Sequence, residues 1–244
     1  MLDIPSLAQL LLLAVVAFLA ATLAAVSGFG GAAVLLPVLV MVFGVRDAIP
    51  ILTVAQLIGN ASRVWFNRRE LDWKVVGWFA LGGVPMALLG GFLFATAPLK
   101  ALTRLLGVFL LLIVVWRHVR PTPKKPPLES FAALGAGSSF LSALLGSVGP
   151  LMAPFFLAYG LVKGAYIGTE ALATVVMHVS KLVAYRQAEV LSGSAVLVGL
   201  ALGPLMVAGS YAGKHIVDRL PERVFVVIIE VVLVVAGLLF LIRG

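Results

Sequence analysis

The sequence predicts an all-α, polytopic membrane protein of about eight to ten hydrophobic helical segments, in two homologous halves with discontinuous helices. Three observations carry that expectation. The chain is 62% hydrophobic and 11% charged, whereas soluble domains carry about 25% charged residues. Apolar runs of about 17–25 residues, the span of a bilayer core, recur along its whole length. Clusters of glycine and proline interrupt those runs at two corresponding places, residues 27–37 and 145–154. In lipid, broken backbone is tolerated only where protein or a water-filled cavity satisfies it.

The first set of apolar segments reads as 7–27, 31–43, 47–66, 73–95 and 98–118. Small residues at positions 20–25 give the first run the look of a signal peptide. Yet residues 1–9 hold Asp3 and no Lys or Arg, and the run exceeds a usual h-region, so a retained span is expected. The second set reads as 129–145, 148–160, 164–186, 190–212 and 220–242. Segments 31–43 and 148–160 have room for only about 20 Å of helix, too little to cross comfortably. Each follows a glycine/proline break, which points to half-helices of the kind transporters place at mid-membrane.

Residues 119–128 separate the sets. Pro121, Pro123, Pro126 and Pro127 with Arg120, Lys124 and Lys125 exclude a spanning helix and mark an exposed, cytoplasmic Pro/Lys-rich linker. The expected organisation is therefore a first transmembrane repeat over 1–118 and a second over 129–244. Weak matches in a constant order support the duplication. Pro37 pairs with Pro154, Asn60 with His178, Arg63 with Lys181, Arg68 with Arg186 and Gly90 with Gly209. Counting the short segments as crossings makes the halves inverted; merging them with their neighbours makes the halves parallel. Charge counts leave both open, but both place the loop at 63–74 and the linker in the cytoplasm.

Absence of cysteine excludes disulfides, thiol redox chemistry and Cys-ligated metals. The net charge of +8 sits mostly in short loops, where it reads as positive-inside anchoring rather than nucleic-acid binding. Gly28-Phe-Gly30-Gly-Ala-Ala33 formally matches a dinucleotide fingerprint, but an apolar helix precedes it and no suitable acid follows. What carries over is physical: bare glycine backbone opening a helix presents N–H groups and a positive dipole end to an anion. The competing reading is close packing through small residues, which also describes Gly199/Gly203 and Gly209/Gly213.

Two polar stripes lie on the third and eighth segments. Thr53, Gln56, Asn60 and Arg63 share one helical face, as do Glu170, Thr174, His178 and Lys181. Polar groups in spans face the bundle interior or a cavity, as ligands or as interhelical glue. Glu230, amid Val and Ile in the last segment, must be paired or protonated, with Lys181 a candidate partner. Glu230 and His178 are the candidates to carry a coupling proton, with a static buried pair as the competing account. No G-x-S-x-G, HExxH or Walker A motif is present, so neither an intramembrane enzyme nor ATP drive by this chain is expected, and no cofactor or metal.

Ser27-Gly-Phe-Gly-Gly31 with Pro37, Leu141-Ser-Ala-Leu-Leu-Gly146 with Gly149-Pro150 and Pro154, and the loop Asn67-Arg-Arg-Glu-Leu-Asp-Trp73 together resemble the sulfite exporter TauE/SafE family of membrane anion permeases. The second motif departs from the usual diglycine form at Ser147 and Val148. The resemblance implies transport of sulfite, sulfonates or related organosulfur anions, coupled to an ion gradient, across a bacterial inner membrane. The substrate-binding set is expected at Gly28, Gly30, Gly31, Gln56, Asn60, Arg63, Gly146, Gly149, Thr174, His178 and Lys181. The alternative is a non-transporting membrane scaffold or assembly factor in which the stripes are glue. A transporter's stripes should converge on one cavity at mid-membrane; a scaffold's need not.

Overall fold

The computed structural model describes residues 5–119 and 125–216, and beyond them only positions 234, 238, 241 and 242. Among the described residues there are eight helices and no strand. They are α1 (Leu7–Ser27), α2 (Gly31–Phe66), α3 (Trp73–Thr96), α4 (Leu99–Val119), α5 (Ser130–Leu145), α6 (Gly149–Tyr159), α7 (Lys163–Gln187) and α8 (Gly193–Ile216). Of the expected segment at 220–242 only those four positions are described, and Glu230 lies outside the described residues. Of the eight, α1, α2, α3, α7 and α8 are long and apolar enough to cross a membrane, and the protein is an integral membrane protein.

Local signals set the helix starts. Ser6 and Gln9 form a reciprocal capping box at α1, and the Asp72 carboxylate accepts from the Lys74 and Val75 N–H groups at α3. α8 begins at Gly193 and not at the expected 190, because Ser192 Oγ accepts the Ala195 N–H and caps the helix there. It then continues past the expected 212, through Gly213 to Ile216.

The expected break between segments 31–43 and 47–66 is reduced to one residue. Gly44 alone is non-helical, at φ 74° and ψ 165°, yet it reverses the chain. Leu36, Ile49 and Leu52 all lie within 3.4 Å of the point where a Cβ on Gly146 would stand. In a straight helix, residues 36 and 52 would be about 24 Å apart. α2 is therefore two limbs, 31–43 and 45–66, folded side by side. Only a residue without Cβ enters that φ readily. α5 and α6 make a matching hairpin: Phe131, at the start of α5, stacks edge-on against Phe156 and Tyr159 near the end of α6.

Close approaches fix the directions in which helices run. Gly209 abuts Phe18 and Ala21, and Gly213 abuts Thr22 and Ala25, so α8 runs with α1. Gly199 meets Val54 and Gly203 meets Ile58, so it also runs with the second limb of α2. Gly135 meets Phe79, and Gly90 meets Phe140 and Ala143, so α5 runs with α3. Arg46, opening the second limb of α2, donates to the Phe94, Ala95 and Ala97 carbonyls at the end of α3. Those two elements are therefore antiparallel, and α1 and α5 enter the bundle from opposite faces. The pairs are also interleaved: α3 packs on α5 and α7, while α8 packs on α1 and α2. The packing glycines do here what small residues do in lipid, letting backbones approach where no hydrophobic force draws helices together.

Candidate functional site

Four glycines with left-handed or otherwise positive φ shape the site's frame: Gly28 (80°) and Gly30 (94°) after α1, and Gly146 (83°) and Gly160 (109°) around α6. At the first two breaks the chain turns back, and a new helix starts in the interior. The N-terminus of α2 has Gly30 as its N-cap and that of α6 has Val148; neither has a side-chain cap. The two ends meet: a Cβ on Gly149 would stand 3.2 Å from Phe29 Cβ and 3.6 Å from the Gly30 nitrogen. Unclaimed first-turn N–H groups and two positive dipole ends therefore converge.

A cavity lies at this junction, between the second limb of α2 and α7. Gly28, Gly30, Gly31, Gln56, Asn60, Arg63, Gly146, Gly149, Thr174 and His178 all line it. The structure thus brings together every residue of the expected set except Lys181, whose ammonium donates to Ser142 Oγ at 3.1 Å. Ser142 itself lines the cavity, so Lys181 sits one residue behind the wall. The centre of a water-sized sphere can occupy about 30 Å³ there, against about 10–15 Å³ for a single water. That is room for a few waters or a small anion, and not for a large organic molecule.

Arg63 is held fast. Its Nη1 donates to the Ala24 and Gly28 carbonyls, each at 3.0 Å, and its Nη2 to Asn60 Oδ1. Glu170 Oε2 lies 3.6 Å from Nη1, with both side chains about 5% exposed or less. Arg63 therefore closes the carbonyl end of α1 and is neutralised by Glu170, which limits it as an anion ligand. Asn60 is likewise engaged, its Nδ2 donating to the Gln56 carbonyl at 2.7 Å. Thr174 Oγ1 donates to the Glu170 carbonyl at 2.9 Å, with Glu170 Oε1 at 3.3 Å.

What remains open is a different subset. Gln56 Nε2, Ser147 Oγ and His178 Nδ1 are buried and have no hydrogen-bond partner, and all three residues line this cavity; Glu170 Oε2 also lacks a hydrogen bond but is ion-paired with Arg63. Buried polar atoms are nearly always paired, by protein or by water. Three such atoms around one cavity suit an occupant that can accept and donate hydrogen bonds, water or a small anion. Among the described residues, no group of three or more His, Asp or Glu stands together as a metal site.

Sequence reasoning missed three participants. Ser147 and Ser142 fall in or beside the second glycine motif, and their signal was a hydroxyl close to the break. Tyr166, whose hydroxyl donates to the Ser27 carbonyl at 3.2 Å, covers the first break: its ring occupies the place of a side chain on Gly28. Glu170 stood in the stripe but was not assigned a role; its pairing with Arg63 joins residues far apart in sequence.

Residues 13–240 match the model of the family described as sulfite exporter TauE/SafE. No curated protein and no solved structure matches the chain.

Proposed function

Since the chain belongs to the sulfite exporter TauE/SafE family, whose members are membrane transporters, we propose that it is a secondary transporter of a small sulfur oxyanion, sulfite or a sulfonate. The observation that carries this reading is the set of unpartnered buried atoms on Gln56, Ser147 and His178 around the junction of two uncapped helix N-termini. Two N–H donors and a hydroxyl beside two positive dipole ends suit an oxyanion of compact size. The bound anion accepts from Gln56 Nε2, from Ser147 Oγ and from the first-turn N–H groups at Gly31 and Gly149. His178 donates through whichever ring nitrogen carries its proton.

The halves 1–118 and 129–244 act as an inverted repeat, with α1/α2 and α5/α6/α7 as counterparts. Entry of α1 and α5 from opposite faces supports this, as does the meeting of the two helix tips at Gly30 and Gly149. Rocking of one repeat against the other then exposes the cavity to each side in turn. The face carrying Arg68, Arg69, Lys74, Lys125, Lys163 and Lys214 is the cytoplasmic one, in a bacterial inner membrane.

Coupling to protons follows from Glu170. Its carboxylate lines the cavity, so an anion bound there lies beside a negative group. Proton uptake by Glu170 removes that repulsion and frees Arg63 to face the anion, so proton and anion are taken up together. His178 is the second candidate, and Glu230 a third that lies outside the described residues. The test is flux of radiolabelled sulfite, taurine and a small carboxylate in proteoliposomes, with and without a proton gradient. Sulfur-anion flux that rises with the gradient is expected. Its absence for all three anions, in a protein that is folded and inserted, would return the stripes to a purely structural role.

A further inference from the structure

A second, larger space lies against the first on the face of the 67–72 loop. Measured in the same way it is about 490 Å³, and Arg63 and Tyr166 form part of its wall. Its polar lining is basic. Lys163 opens α7 and Lys214 stands near the end of α8, both exposed. Among the described residues neither lysine has a carboxylate within ion-pair distance. Lys214 Nζ is held in place by donating to the Phe66 carbonyl at 2.8 Å. α7 starts here with Val162 as its N-cap and no side-chain cap, and the Glu70 carboxylate stands against its first turn at Gly164.

An independent observation points to a ligand. Ser210 Oγ is 1% exposed, lacks any hydrogen-bond partner and belongs to a residue lining this space. A buried hydroxyl is normally paired, and Ser/Thr hydroxyls in transmembrane helices commonly turn back on their own i−4 carbonyl. Thr22, Ser138 and Thr174 do so here. Ser210 has no such bond. Glu70 places its carboxylate against Gly164 beside this lining, but among the described residues it is not within ion-pair distance of either lysine.

We infer that this vestibule is a second anion-binding site, taking the same class of small oxyanion as the central cavity and holding it before it passes Tyr166. The inference rests on the transport reading above. Lys163 and Lys214 supply charge, Ser210 Oγ supplies a directed donor, and Asn67 adds an amide at the rim. Tyr166 stands between the two sites, bonded to the Ser27 carbonyl and packed on Gly28. The anion reaches the central cavity only when that bond opens. Electrostatic loading of such a vestibule raises local anion concentration and weakens as salt is added.

The experiment is equilibrium binding of radiolabelled sulfite to the purified full chain, with Lys214→Gln, Ser210→Ala and Gln56→Leu variants. Wild-type protein is expected to bind two sulfites per chain. Lys214→Gln and Ser210→Ala should each weaken one of the two about 10- to 100-fold and leave the other unchanged. Gln56→Leu should affect only the other. Lys214 is exposed, so its substitution does not threaten folding, and the melting temperature of each variant checks this. One sulfite per chain, lost in Gln56→Leu and kept in Lys214→Gln and Ser210→Ala, overturns the vestibule site and leaves the central one standing. One sulfite lost only with Lys214 or Ser210 overturns the central site instead. No binding to folded wild-type protein overturns both.

Discussion

Replacing Gln56 with Leu separates an anion ligand from structural glue, because the two roles predict opposite signs. Gln56 is 3% exposed, lines the cavity, and its Nε2 has no partner. An unsatisfied buried amide costs about 1–3 kcal/mol, and a leucine of similar volume removes that cost. The empty protein should therefore be as stable as wild type or more so. In the transport state the same Nε2 donates to a charged acceptor, a bond worth about 1.5–3 kcal/mol. Its loss should raise the apparent substrate constant about 10- to 100-fold. The assay pairs proteoliposome uptake of sulfite over a concentration series with thermal unfolding in detergent, with and without sulfite. Weaker transport, an unchanged or raised Tm in the empty protein and a smaller shift with sulfite are expected. Unchanged transport with a lowered Tm would refute the reasoning and make Gln56 a packing residue.

Three further outcomes are expected. Gly30→Leu forces a side chain into φ 94° at the tip of the first break; it should abolish flux while insertion, read by membrane fractionation, persists. Glu170→Gln leaves Arg63 with carbonyl and amide partners only, and removing one member of a buried pair costs about 3–5 kcal/mol. Bound sulfite should restore more of the lost Tm in this variant than it adds to wild type, and gradient-driven flux should fall while anion exchange survives; an identical sulfite shift and intact proton-driven flux in both Glu170→Gln and His178→Ala would remove these residues from coupling. Gly213→Leu drives a side chain into the Thr22 carbonyl, 2.6 Å from where its Cβ would stand; overpacking of this kind costs about 1–3 kcal/mol and should lower Tm without changing the substrate constant of the protein that still folds.

What the sequence determined by itself was everything that depends on near neighbours. In lipid a helix satisfies its own backbone, so apolar length and glycine clusters locate α1, α3, α5, α6 and α7 to within a residue or two. Helical periodicity likewise put Gln56, Asn60 and Arg63 on one face and Glu170, Thr174 and His178 on another. Tertiary structure decided which of those polar groups are spent. Arg63 and Asn60 satisfy the end of α1 and each other, Lys181 turns to Ser142, and the unclaimed donors are Gln56, Ser147 and His178. It also decided that α2 folds back at Gly44, that α1 and α5 enter from opposite faces, and that α3 and α8 each pack on helices of the other end of the chain. A hydrogen bond within a helix joins residues four apart, whereas Arg63 and Glu170 meet only because α2 and α7 pack together in the bundle. No local pattern records that meeting.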